Sequence, residues 1–116
     1  RVLFRSVPAV KSAESQTREA MTAFLNAKYS KAMELLLTLD ATDCEVRNII
    51  ARTNMRLRKY AAARDLFIAL ADDAKCGKDL RGDWLLYRAA RSALRAGDTK
   101  GATRITERMI KIFPKT

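Results

Sequence analysis

Residues 87–102 read YRAARSALRAGDTKGA, and the fold follows from this stretch. Ala90 and Ala102 stand twelve apart, with Gly97-Asp98 between them. Glycine is the favoured residue just past a helix end. The stretch therefore predicts a leading helix that stops at Gly97 and a trailing helix from about Thr99. Pro114 ends that second helix, since it cannot continue the backbone ladder. The same spacing recurs upstream, between Ala20 and Ala32 and between Ala51 and Ala63. In each copy a turn residue precedes the second alanine by three positions: Tyr29, Tyr60 and Thr99. Larger apolar residues follow it: Leu35 and Leu36, then Leu66 and Phe67, then Ile105. Small residues let paired helices approach closely, and large ones fill the seam to the next pair.

Apolar periodicity extends the reading to six helices, at about 12–27, 30–39, 44–57, 60–74, 83–96 and 99–113. Thr42 and Glu45 have the spacing of a capping box before the third helix. Asp83 is the expected N-cap of the fifth. Residues 72–82 read as an insertion, with Asp72-Asp73 solubilising a helix end beside Lys75 and Lys78. Short connections imply antiparallel neighbours. Residues 1–11 read as an arm or linker, and 12–116 as one all-α domain. Opening on Arg1 rather than Met is expected of a processed or excised piece.

The pattern resembles the tetratricopeptide repeat, in three copies at about 13–43, 44–75 and 83–116. The third copy matches through Ala90, Gly97-Asp98, Ala102 and Pro114. The second matches through Ala51, Tyr60, Ala63 and Phe67, and the first through Ala20, Tyr29, Ala32 and Leu36. Departures are present. Gln16, Arg47 and Leu86 replace the early aromatic, and Ala23, Asn54 and Ala93 replace the later tyrosine. A related hairpin repeat or a non-repeat bundle is the alternative. The resemblance implies hairpins stacked as a short right-handed superhelix, an α-solenoid, with the leading helices on its concave side. It puts Asn48, Arg52, Met55 and Arg56 there from the second copy, and Trp84, Tyr87, Arg91 and Arg95 from the third.

Spacing agrees with that face. Asn48, Arg52 and Arg56 form one i, i+4, i+8 row, and Tyr87, Arg91 and Arg95 form another. Arginine forks bind carboxylates bidentately, and Trp or Tyr adds flat apolar contact. The expected ligand is a partner segment bearing Asp, Glu or a free carboxyl terminus. The competing reading makes Trp84 and Tyr87 core and the arginines merely solvated. The family's carboxylate-clamp set is not matched: Thr17, Met21 and Ile49 occupy three of its positions, and only Arg88 fits.

Lys and Arg number 23 against 13 Asp and Glu, a formal charge of +10, which favours acidic partners. No apolar run is long enough for a membrane span. The chain has no His, two separated cysteines, no glycine-rich phosphate loop and no GxSxG. The expectation is therefore no enzyme, no metal and no cofactor. Cys44 and Cys76 belong to the same end of one antiparallel pair. They can bond if their Cα atoms come within about 4.4–6.8 Å, and two free thiols are the alternative. A bond implies an oxidising compartment such as a bacterial periplasm or cell envelope. Three functions compete. The first is a non-catalytic protein-interaction scaffold with an acidic protein or peptide partner. The second, by resemblance, is the superhelical part of a cell-envelope enzyme such as a lytic transglycosylase. The third, weaker, is a basic nucleic-acid-associated repeat.

Overall fold

The computed structural model describes residues 12–115; the expected arm at 1–11 lies outside them. Seven helices follow in order: α1 Ala13–Leu25, α2 Tyr29–Leu36, α3 Cys44–Arg56, α4 Tyr60–Asp72, α5 Ala74–Asp79, α6 Gly82–Arg95 and α7 Thr99–Ile112. No strand occurs among the described residues. Helices α1–α2, α3–α4 and α6–α7 are packed pairs, and α4 packs on α6 to join the second pair to the third.

The three hairpin turns repeat in backbone detail. Ala27, Arg58 and Gly97 take left-handed φ values of 61°, 64° and 82°. The next N–H groups, of Lys28, Lys59 and Asp98, donate to the carbonyls of Ala23, Asn54 and Ala93, each at 2.8 Å. Ala27, Arg58 and Gly97 themselves donate to Phe24, Met55 and Leu94 at 3.0–3.1 Å. Both bonds together make the Schellman closure, which satisfies carbonyls at a helix end and reverses the chain. Only the third copy uses glycine for it. Ala27 and Arg58 adopt the same left-handed geometry at about 1–2 kcal/mol each.

All six repeat alanines are buried: Ala20, Ala32, Ala51, Ala63, Ala90 and Ala102. Ala51 and Ala63 share the main core with Phe67, Leu70, Leu85, Leu86 and Ala89. A smaller cluster of Ala20, Leu36, Val46 and Ile49 joins the first pair to α3. Ala61, Ala62 and Ala63 are chemically identical neighbours, yet only Ala63 faces inward, at 0% exposure. Ala63→Leu is therefore expected to destabilise the domain by about 1–3 kcal/mol through overpacking. Ala62→Leu should change stability by less than about 0.5 kcal/mol. Urea denaturation of the two variants checks this; equal midpoints would refute the packing.

The expected insertion holds the seventh helix. Asp73 begins α5 by accepting from the backbone N–H groups of Lys75 and Cys76 at 3.0 and 3.1 Å. Gly77 lies inside α5 rather than beyond a helix end. Cys44 and Cys76 are bonded, with their Cα atoms 5.3 Å apart, and tie the start of α3 to α5. Arg47 reinforces the tie, donating to Asp73 at 3.1 Å and lying 3.4 Å from the Cys76 sulfur. Asp72 pairs with Arg108 on α7. The two aspartates thus join helices and do more than solubilise an end. Two capping expectations also change. Asp43, not Thr42, caps α3, accepting from Val46 at 3.1 Å, while the Thr42 hydroxyl donates back to Asp40 at 2.7 Å. Arg81, at φ 66°, precedes α6, and Asp83 sits in the first turn, paired with Arg81 at 3.0 Å.

Candidate functional site

Helix α6 is strongly two-sided. Leu85, Leu86, Ala89, Ala90, Ser92 and Ala93 are buried, while Trp84, Tyr87, Arg91 and Arg95 are exposed and Arg88 is half-buried. A helix of that pattern buries one face and leaves the other for solvent or a ligand. Arg52 and Arg56 lie one turn apart on α3. The exposed face of α6 and this row of α3 form the two walls of one cavity of about 300 Å³. It is lined by Arg52, Met55 and Arg56 from α3, and by Trp84, Tyr87, Arg88, Arg91 and Arg95 from α6. Phe24 of α1, with Tyr60 and Phe67 of α4, completes it. Beside it α3 and α6 touch, where the Ser92 hydroxyl lies 2.9 Å from the Met55 sulfur.

Seven of the eight residues expected to bind a partner line this cavity: Arg52, Arg56, Trp84, Tyr87, Arg88, Arg91 and Arg95. Asn48 does not; it is half-buried one turn above Arg52 on α3. Phe24 and Tyr60 were not legible as site residues, since they read as stripe and turn positions of neighbouring helices. The cation–ring contacts show why they belong. Arg52 lies over the Phe24 ring at 4.8 Å, and Arg95 over the Tyr60 ring at 5.9 Å. On α6 itself, Arg88 lies over Trp84 at 4.9 Å and Arg91 over Tyr87 at 5.9 Å. The two rings stack on each other with centroids 5.5 Å apart. Trp84 and Tyr87 are 45% and 41% exposed, so they are groove wall and not core. A guanidinium resting on a ring face keeps its N–H edge free for a carboxylate.

No acidic side chain among the described residues lines the cavity. The ion pairs elsewhere in the described chain use Arg18, Arg47, Arg64, Arg81 and Arg108, and none uses a cavity arginine. Burial lowers the Arg88 pKa below the usual arginine value, and the nearby Arg52, Arg91 and Arg56 charges lower it further. Arg52 is lowered by burial and then by Arg56. Arg88 is thus repelled by three other guanidinium groups in one place, where desolvation strengthens the repulsion. An anion entering the cavity would relieve it. Elsewhere among the described residues, no group of three or more His, Cys, Asp or Glu is placed to hold a metal ion. No described helix is long and apolar enough to cross a membrane.

Comparison of the chain with protein-family models, with curated proteins and with solved structures finds no match. Fold and site thus define a class in structural terms only: an all-helical chain of paired helices carrying an arginine-lined cavity.

Proposed function

We propose that this chain is a non-catalytic interaction domain of tetratricopeptide type that holds an acidic segment of a partner protein in its basic cavity. The three matching hairpin turns and the six buried alanines support hairpins stacked as a short right-handed superhelix. One observation carries the function. Five arginines, four of them set over aromatic rings and none paired with a described carboxylate, line a single cavity. Stability alone gives no reason to gather like charges there, whereas recognition of an anion does. The Cys44–Cys76 bond favours an oxidising compartment. It thereby keeps a second reading in view, the superhelical segment of a bacterial cell-envelope enzyme such as a lytic transglycosylase.

Capture from nuclease-treated cell extract on the immobilised chain tests the first reading. An acidic protein should be retained at about 50 mM salt and released at about 500 mM, since charge pairing is screened. Excess poly-glutamate should displace it. Retention abolished by the nuclease would instead support nucleic-acid association and overturn the proposal.

A further inference from the structure

We infer that the cavity reads two acidic residues adjacent in sequence, presented by an extended partner segment with one carboxylate directed to α3 and the other to α6. This rests on the acidic-segment reading above and narrows it. The positive charge is divided between two walls. Arg52 and Arg56 stand one turn apart on α3, and Arg88 and Arg91 one turn apart on α6. Those four guanidinium groups carry four positive charges, so a single carboxylate would neutralise only one of them. An occupant matched to both walls brings at least two negative charges. In an extended chain, successive side chains point to opposite sides. Acidic residues at neighbouring positions therefore reach opposite walls, whereas residues two apart reach the same wall.

The rings argue for a peptide over a nucleic-acid strand. Trp84 and Tyr87 stack on each other, and each also carries a guanidinium. A nucleobase, which binds by stacking on ring faces, would compete with those partners for ring surface. A carboxylate approaches the edge of a guanidinium and displaces neither.

Trp84 is the chain's single tryptophan and lies in the cavity wall, so its fluorescence reports occupancy without a label. The probes are acetylated, amidated hexapeptides: Gly-Ser-Asp-Asp-Ser-Gly, Gly-Asp-Ser-Asp-Ser-Gly, a single-Asp version, and a version with one phosphoserine as its only charged residue. At equal ionic strength, the adjacent pair is expected to bind about tenfold tighter than either the spaced pair or the single acid. Arg52→Gln and Arg88→Gln, verified as helical by circular dichroism, should each reduce that advantage. The wild-type series is decisive without them. Equal affinity for spaced and adjacent pairs, or tighter binding of the phosphoserine peptide, would overturn the two-wall inference and leave the acidic-segment reading standing. No binding of any of the peptides at millimolar concentration would overturn both.

Discussion

Reducing the Cys44–Cys76 bond is expected to lower the stability of the domain by about 3–4 kcal/mol, with Tm falling by roughly 10–20 °C. The two cysteines are separated by 32 positions, so the bond closes a long loop in the unfolded chain. Chain entropy makes the effect large for a domain of this size. The loss should be uneven. Helix α5 has only six residues, too few to be stable alone, and it is held by the disulfide, by the Asp73 cap and by Arg47. Amide exchange after reduction should therefore rise first in residues 74–79. Scanning calorimetry with and without a reductant checks the size, and a Tm unmoved by reduction would contradict it. Helix α5 also leads into α6, which carries one wall of the cavity, so the bond braces the site as well as the fold.

The double reversal Arg52→Glu with Arg91→Glu is expected to weaken partner binding by at least about a hundredfold. Removing a desolvated charge from a paired contact typically costs about 2–5 kcal/mol, and every 1.4 kcal/mol is tenfold. Each reversal also places a like charge against the partner's carboxylate. Stability should move the other way or stay constant, since Arg88 exchanges two repulsive neighbours for attractive ones. That opposition of signs separates a binding role from a structural one. Lys100→Glu with Arg104→Glu on the exposed side of α7 makes the same change in net charge away from the cavity. It should leave binding within a few-fold of wild type. Titration calorimetry and thermal melts on both double variants measure the two effects. Equal loss of binding from the α7 pair would assign recognition to the overall +10 field and not to the site.

Much of this architecture is legible in the sequence because its signals are periodic. The alanines at twelve-residue spacing, with large apolar residues after each, place all six long helices, and each of those alanines is buried. What the pattern hides is decided by single side chains. Helix α5 escapes notice because Gly77 reads as a stop signal, although Asp73 caps the turn and the disulfide holds it. Thr42 has the spacing of a cap, but its hydroxyl donates to Asp40 and Asp43 is the cap. Thr53, Asn54 and Ser92 are polar and buried, which an apolar stripe cannot reveal. Each bonds to the carbonyl four residues back in its own helix.

The site divides in the same way. Rows at i, i+4 spacing bring out the arginines of α3 and α6 because their geometry is local to one helix. Phe24 and Tyr60 belong to α1 and α4 and reach the cavity only through the packing of one hairpin on the next. Asn48 has the right spacing, but the cavity ends below it.

Site-specific photocrosslinking tests the account most directly. A benzophenone amino acid is placed at Tyr87 in the cavity wall, or at Thr103 on the exposed side of α7, in otherwise wild-type chain bound to its captured partner. A covalent adduct formed from position 87 through an acid-rich segment of the partner, and not from position 103, is the predicted result. An adduct from position 103 alone would put the partner outside the cavity and contradict the account.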